Sequence, residues 1–507
     1  MLPVLGRSPI TTRVMRLGFL WLLAAIAGTL GALVLYDAQP GINWAIWTVV
    51  TLAGLLAYRR PDRKTLRTIA LPLAFAVVLS IGAAVTTTEI LLVAIVAIVA
   101  SLMALAVLLA NEQGAELDYG PVNIITAPIR AFLATARGAV SSVFLGVESL
   151  GSARERPALR GSLIAAPVVL VLVLLFADAD PLLARGRDAV YSMFTNWSAL
   201  PQVVFGVLLA LFVAGAYAAT RATRPVSVPT LLPTDSAARV GLTERRIVLG
   251  AAAAVSWLFV LLQLSYLFGA SPAIAGSGVT FAEYAHRGFG ELTVAATIAA
   301  LLIIAAHDNV RTDADRHARN AITWPALALL AAVVCILMSA FHRIMLYEGA
   351  YGYTTPRVYG QAYMLLALAV LLVLAWHVWR SFDVRALARQ IMTVALATLT
   401  FLVFWNGDAW VAQANLDRYA RTGKIDVQYL TRDLSLDAYP TLVQALPSIR
   451  QPERAQLATA LSGEYVRHHS LREQPAWYEW NVRRERARSL VVIRPPANTP
   501  ANTPAPL

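Results

Sequence analysis

Eleven long apolar blocks constrain the fold of this chain more than any other feature of its sequence. Each block approaches the roughly 20 residues that a helix needs to cross the hydrocarbon core of a bilayer. They are residues 17–36, 41–58, 68–86, 90–110, 162–183, 201–219, 247–269, 287–306, 322–342, 358–378 and 388–405. We therefore predict an all-α fold, in which a polytopic transmembrane helix bundle of about 11 spans precedes a small, mostly helical, soluble C-terminal region.

Composition and charge agree with a membrane protein and exclude some partners. Only 14% of the residues are charged, against roughly 25% in soluble domains. Lys64 and Lys424 are the only lysines, and the arginines behind the net charge of +12 are mostly spread over short loops. A nucleic-acid-binding protein instead concentrates its basic residues on one face, so we expect the lipid bilayer as a partner and no nucleic acid. Cys335, the only cysteine, excludes an intramolecular disulfide and a cysteine-based metal site, and no motif indicates a cofactor.

The distribution of Lys and Arg predicts an orientation. Twenty-four of them lie in the segments on the N-terminal side of the membrane, and five lie in the opposite loops. Short cytoplasmic loops carry such an excess. We therefore expect a cytoplasmic N-terminus and, after eleven spans, an extracytoplasmic C-terminus.

The chain divides into five predicted segments. Residues 1–110 hold the first four spans, and 111–161 form a cytoplasmic connection with apolar residues at helical spacing. That helix either lies on the membrane surface as an amphipathic interfacial helix or packs under the bundle. Residues 162–405 form a seven-helix region, 406–494 an extracytoplasmic helical region, and 495–507, with its Ala-Asn-Thr-Pro repeat, a disordered tail.

The extracytoplasmic region has its own predicted helices, over 426–430, 436–446 and 452–468. A further amphipathic run follows, with Trp477, Trp480 and four arginines between 483 and 488. This run has three open placements: on lipid headgroups, against its neighbours, or docked on the bundle, which we favour.

Three polar groups lie at the predicted outer ends of spans, where charged residues are costly and often functional. In the first group, the apolar stretch that begins at residue 162 is too short to cross the membrane unless the span also includes Asp178 and Asp180. Pro181 disfavours helical geometry at Asp180. The two aspartates either enter the outer leaflet or simply lie at the membrane surface.

The second group surrounds the start of the span 287–306. Glu283, Arg287 and Glu291 recur every four residues, which places one cation between two carboxylates on a helical face, with His286 beside them. The group fits an ion or proton relay in which His286 titrates near neutral pH. A salt-bridged start of the helix explains it equally well.

The third group follows the span 322–342. It contains several tyrosines and five candidate site residues: His342, Arg343, Tyr347, Glu348 and Arg357. An aromatic belt at the membrane interface accounts for the tyrosines. It does not account for charged residues so close to an apolar core.

These motifs also carry a family resemblance. The matching stretches include Phe176–Pro181, Glu283–Phe289, Arg343–Glu348, Asn415–Tyr419 and Trp477–Arg488. Together they resemble the bacterial multi-pass membrane proteins of domain of unknown function family 4173, related to family 4153, over roughly residues 160–490. The resemblance implies a helical protein of the bacterial inner (plasma) membrane and names no reaction.

Three function classes fit the sequence. The favoured one is an envelope sensor, scaffold or assembly factor that meets an envelope protein through its C-terminal region, because that region and the polar groups share one predicted side. The second is an ion-coupled transporter or permease. No matching polar groups occur in mid-membrane or at the inner ends, and this counts against it.

The third class is a membrane enzyme that acts on a lipid or glycan, with its carboxylates as acid–base groups or hard metal ligands. No spacing matches a known catalytic motif, so we favour a protein that is not an enzyme and assign no catalytic residue. Metal binding stays open.

Overall fold

The computed structural model describes residues 9–111, 121–150, 199–221, 241–268, 289–307, 316–380, 382–463 and 475–491. All regular secondary structure in these ranges is helical, as predicted. The α-helices of the membrane part are α1 Pro9–Val34, α2 Ile42–Arg59, α3 Arg63–Gly82, α4 Glu89–Leu109, α5 Pro121–Leu150, α6 Leu200–Ala219, α7 Leu242–Phe268, α8 Phe289–His307, α9 Arg316–Tyr351, α10 Thr355–Trp379 and α11 Val384–Phe404. Those of the C-terminal region are α12 Gly407–Thr422, α13 Val427–Arg432, α14 Tyr439–Ala445, α15 Glu453–Ser462 and α16 Val482–Ser489, with 3₁₀ turns at Leu436–Ala438, Leu446–Ser448 and Trp477–Glu479.

Eight of the described helices are long and apolar enough to cross a membrane. They are Met15–Val34, Arg63–Gly82, Glu89–Leu109, Leu200–Ala219, Leu242–Leu262, Asn320–Gly349, Thr355–Trp379 and Val384–Phe404. Each corresponds to one predicted block. The chain is therefore an integral membrane protein.

Three of the eleven predicted blocks fall outside this set, so the structure gives no count of eleven spans. The block 41–58 forms α2, which is not among the eight. In α8, the residues whose side chains the structure describes, Thr293–His307, form an apolar helix that is too short to be counted as a span. The block 162–183 lies outside the described residues.

Large apolar side chains cover the outer faces of these helices. Val93 and Val255 are each 69% exposed, and Met338 is 64% exposed. Water would make such a surface prone to aggregation, whereas lipid tails are as apolar as these side chains. The exposed apolar surface therefore supports a membrane environment.

The chain forms two compact units. The first contains residues 1–84, 94–237 and 384–389. Within it, α5 packs closely against α6: a Cβ added to Gly138 would lie 2.3 Å from the carbonyl oxygen of Gly215. Small residues permit such close approach of helices in a membrane. The helix predicted within 111–161 is thus α5, and it packs on another helix of its unit.

The second unit contains residues 85–93, 238–383 and 390–507. Its C-terminal part has a hydrophobic core of its own, in which Val411, Leu430, Leu442 and Leu457 are almost fully buried. Val358, from the first turns of the spanning helix α10, belongs to the same core. The predicted short helices of this region correspond to α13, to α14 with its flanking 3₁₀ turns, and to α15.

Side-chain caps define where the C-terminal helices begin and end. Asn406 accepts a hydrogen bond from the Ala409 N–H at 3.1 Å and starts α12. Gly423 ends that helix at φ +69°, a left-handed conformation that glycine adopts without strain. Asn481 caps α16 by accepting from the N–H groups of Arg483 and Arg484, each at 3.0 Å.

Candidate functional site

Two buried polar groups lie in the second unit, where chain segments leave the predicted spans. We call the first the threonine–aspartate cluster; it consists of Thr86, Thr87, Thr88, Thr355, Asp408, Ser435, Asp437 and Arg483. The second, the Glu348 pocket, consists of Tyr347, Glu348, Arg357 and Gln361.

Asp437 is the most heavily bonded residue of the threonine–aspartate cluster, and its side chain is fully buried. Its Oδ1 accepts from the Thr87 N–H at 3.0 Å and the Thr87 hydroxyl at 2.6 Å. Its Oδ2 accepts from the Thr86 hydroxyl at 3.1 Å and forms an ion pair with the Arg483 guanidinium. A residue of the C-terminal region therefore holds the loop between α3 and α4.

Asp408 is the second buried carboxylate of the cluster, with 2% of its surface exposed. Its Oδ1 accepts from the Thr355 hydroxyl at 3.0 Å. Its Oδ2 accepts from the Thr88 hydroxyl and the Ser435 N–H, both at 3.1 Å. Asp408 thus joins α12 to the start of α10 and to the loop before α4.

Local sequence explains why these groups meet. Asp408 lies in the first turn of α12, where the helix dipole favours an acidic residue. Asn481, besides capping α16, donates to the Thr86 carbonyl at 3.0 Å. Arg483, held by that cap, also donates to the carbonyl of Phe404 at 3.0 Å, an acceptor that the end of α11 leaves free.

The electrostatics of the cluster are those of two carboxylates beside one guanidinium. Burial raises the pKa of Asp437, while the Arg483 charge and the Thr87 hydrogen bonds act in the opposite direction. Burial also raises the pKa of Tyr429, whose hydroxyl accepts from the Thr355 N–H at 2.7 Å. The many hydrogen-bond donors around the two carboxylates satisfy the buried charges. The cluster is therefore a structural joint, which connects the C-terminal region to the loop before α4 and to the start of α10.

The Glu348 pocket lies at the end of α9, within the candidate span Asn320–Gly349. Glu348 is only 3% exposed. Its Oε2 accepts from the Gln361 amide at 2.6 Å, and its Oε1 is buried with no hydrogen-bond partner among the described residues. Arg357 is near enough to act on this carboxyl electrostatically.

Arg357 directs its contacts elsewhere. Its guanidinium lies 4.3 Å from the centre of the Tyr347 ring and donates to the Gly352 carbonyl at 2.6 Å. Gly352 has φ +92°, and the following residue, Tyr353, exchanges two hydrogen bonds with the Asn415 side chain, at 3.1 and 2.8 Å. A short path of contacts therefore leads from the pocket to α12.

The structure brings together three of the predicted site residues, Tyr347, Glu348 and Arg357. His342, on the same helix, is exposed, and Arg343 is half-buried. Glu291 lies in the first turn of α8. The remaining five candidates lie outside the described residues: Asp178, Asp180, Glu283, His286 and Arg287.

Sequence reasoning missed the threonine–aspartate cluster, since neither buried aspartate was a candidate. One signal was present: three successive threonines, Thr86 to Thr88, form a very short connection between two apolar blocks. Such a loop offers three hydroxyls to a partner on its side of the membrane. In the part of the chain that the structure describes, no three His, Cys, Asp or Glu side chains are arranged to hold a metal ion.

A model of one protein family matches a large part of the chain. The family model described as Domain of unknown function (DUF4153) matches residues 73–445. The chain belongs to the DUF4153 family. The resemblance to family 4173 is not shown, and the matched range begins earlier than the expected residue 160, so it includes α4 and the second half of α3.

The DUF4153 match includes both buried aspartates and Glu348, whereas Asn481 and Arg483 lie beyond its end. No curated protein and no solved structure matched the chain.

Proposed function

We propose that this DUF4153 protein is a non-catalytic sensor, scaffold or assembly factor of the bacterial inner membrane, working through residues 406–494 on the extracytoplasmic side. The observation that carries the proposal is the threonine–aspartate cluster. In it, Asp408 and Asp437 of the C-terminal region are buried against two loops of the membrane part.

Burial of charged groups stabilises this joint. Removing one partner of a buried ion pair costs about 3–5 kcal/mol, because it leaves the other charge uncompensated. A mere tether would not need such a joint, since a flexible linker would serve. A protein that transmits a change between its spans and an external domain does need one.

Charge distribution supports the extracytoplasmic placement. Residues 87–88 and the turn 352–354, both bonded to the C-terminal region, lie in the predicted loops that together hold five Lys and Arg. The intervening loops on the other side hold most of the rest. Exposed Trp477 and Trp480, 73% and 46% exposed, give the region an aromatic surface suited to an envelope protein partner.

A truncation tests the proposal. Deletion of residues 411–507 should abolish complementation of a strain that lacks the gene, while the purified truncated chain remains monodisperse in detergent. The matched control is Asp417→Ala, an exposed position in the same helix, which should complement fully. A fully active truncation would rule the proposal out.

An ion-coupled transporter is the second candidate, and one observation favours it. Glu348 is a buried carboxyl within a spanning helix, and such residues often mark ion or proton pathways. Ion or proton flux across the membrane of liposomes that contain the purified chain would favour this candidate over a sensor, if Glu348→Gln abolishes that flux.

A further inference from the structure

The two carboxyl oxygens of Glu348 have different surroundings. One oxygen is held by Gln361 at 2.6 Å, and the other is buried without a hydrogen-bond partner in the described part of the chain. An ionised carboxylate buried in this way would leave charge uncompensated at a large cost in free energy. In practice such a group takes up a proton instead.

The nearest cation does not remove that cost. Arg357 makes no ion pair with Glu348; its guanidinium stacks on Tyr347 and donates to the Gly352 carbonyl. A charged carboxylate within reach would compete strongly for this guanidinium, because charge-assisted pairs are roughly twice as strong as neutral hydrogen bonds. The position of Arg357 is therefore the one expected beside a neutral acid.

Other charged groups are remote or turned towards different partners. On α9, Arg343 lies more than one turn before Glu348, and the centre of the Tyr351 ring lies 4.6 Å from the centre of the Tyr347 ring. On α10, the other titratable groups near the pocket are Tyr359, directed to the threonine–aspartate cluster, and the exposed Tyr363.

The remaining elements packed near this end add one cation. From α12, Arg418 lies against Gly352. The described charged side chains of α7 lie in its first turns, where Arg245 donates to the Ala306 carbonyl, and His307 ends α8 at the same level. Trp257 of α7 donates to the Ala328 carbonyl of α9. Glu348 lies 20 residues beyond Ala328, roughly 30 Å along the helix. The charged groups in the first turns of α7 and at the end of α8 are therefore far from Glu348.

We propose that Glu348 is a proton-binding site: its buried carboxyl carries a proton on Oε1, and release of that proton draws Arg357 away from Gly352. The bound species is a proton rather than a metal cation, because among the described residues the pocket offers the carboxyl and one amide, far fewer oxygen ligands than a hard cation takes. The site goes beyond the proposed function and exists whether or not the C-terminal region acts on a partner.

Proton release at Glu348 would change the contacts of α12. The Gly352 carbonyl that Arg357 holds belongs to the turn whose next residue, Tyr353, is clamped by Asn415. Moving the guanidinium to the carboxylate frees that turn. The protonation state of Glu348 is thus linked to how the turn at Tyr353 packs against α12 of the C-terminal region.

Carbodiimide labelling tests the site directly on the purified full chain. Dicyclohexylcarbodiimide is apolar and reacts with protonated carboxyls: the acid proton moves to a nitrogen, the carboxyl oxygen bonds to the central carbon, and the adduct rearranges to a stable N-acylurea. Peptide mass spectrometry should find the adduct at Glu348 at mildly acidic pH, and less of it at alkaline pH. Glu485, whose side chain is 61% exposed, is the matched control and should stay unlabelled.

Two variants sharpen the labelling result. Arg357→Gln removes the charge that favours the carboxylate, so the pH at which labelling falls by half should move upwards. Glu348→Gln is a neutral mimic of the protonated acid and should leave the thermal stability at mildly acidic pH unchanged. A lower stability of this variant would mean that the wild-type group is ionised and would overturn the proposal.

Infrared spectroscopy covers the case in which the reagent does not reach the site. The pH-difference spectrum should contain the carbonyl stretch of a protonated carboxylic acid, absent in Glu348→Gln. Absence of both the adduct and this band in the wild-type protein would overturn the proposal. Protection from labelling by sodium at constant pH would assign the site to a metal cation and overturn it equally.

Discussion

Replacing Asp437 by alanine should detach the loop 86–88 from the C-terminal region. The substitution removes the partner of the half-buried Arg483 and leaves the Thr87 N–H and the hydroxyls of Thr86 and Thr87 without their acceptor. The Arg483 side chain is only 12% exposed, so water replaces the lost carboxylate poorly.

The expected magnitude follows from these contacts. Breaking a buried ion pair by removing one partner costs about 3–5 kcal/mol. Each hydrogen bond to a charged group contributes about 1.5–3 kcal/mol when it is counted alone. The groups share one network, so the contributions are not additive, and we expect a total of about 3–5 kcal/mol.

Hydrogen exchange of the Thr87 amide is the appropriate assay, since this N–H donates directly to Asp437. A membrane protein of two units has no single free energy of unfolding, whereas exchange reports the local opening. At about 1.4 kcal/mol for each factor of ten, the amide should exchange about 10²- to 4 × 10³-fold faster in Asp437→Ala.

A surface substitution provides the comparison. Asp417→Ala, at an exposed position of α12, should change exchange at Thr87 hardly at all, because surface changes usually stay within about 0.5 kcal/mol. If Asp437→Ala left the Thr87 amide as protected as it is in the wild type, the threonine–aspartate cluster would not be the joint described above.

Three further predictions concern stability. Gly352→Ala should introduce local strain of about 1–3 kcal/mol and lower the melting temperature, because φ is +92° and an added Cβ would lie 2.8 Å from an asparagine side chain of α12; Gly349→Ala, with open space around it, is its control. Gly138→Ala should cost about 1–3 kcal/mol by forcing α5 away from a carbonyl of α6, whereas Gly250→Ala should not. Burial raises the pKa of Asp437 in the folded form above the value of about 3.9 expected in the unfolded form. Between these two pKa values the folded form still holds a proton that the unfolded form has lost. Stability should therefore fall as the pH rises from about 3.9 through the pKa of the folded form. A melting temperature with the same pH slope in Asp437→Asn would contradict this assignment.

Much of the membrane part was predictable, because one physical requirement governs it. A helix that crosses lipid must satisfy its own backbone and present apolar side chains, and both demands are visible as a local run of residues. Eight predicted spans correspond to eight apolar helices for this reason. The block 41–58 was harder to judge, since Asn43 and Arg59, near the two ends of α2, make that helix less apolar.

The polar joint was less predictable, because it depends on contacts between distant parts of the chain. Asp437 lies 350 residues from Thr87, and nothing in its local sequence distinguishes it from other aspartates of the C-terminal region. Glu348 and Arg357 were found because charge beside an apolar block is a local signal. Their actual relation, in which Arg357 turns to Gly352 instead of pairing with the carboxyl, needed three-dimensional geometry.

Single-cysteine accessibility tests the central proposal most directly. Cys335 is the only cysteine, so Cys335→Ser gives a background into which Asp417→Cys or Lys64→Cys is introduced, both at exposed positions. With a membrane-impermeant maleimide, the cysteine at position 417 should be labelled in cells whose inner membrane is intact, and the cysteine at position 64 only after that membrane is permeabilised. Labelling at 417 only after permeabilisation would place the C-terminal region in the cytoplasm and contradict its proposed extracytoplasmic role.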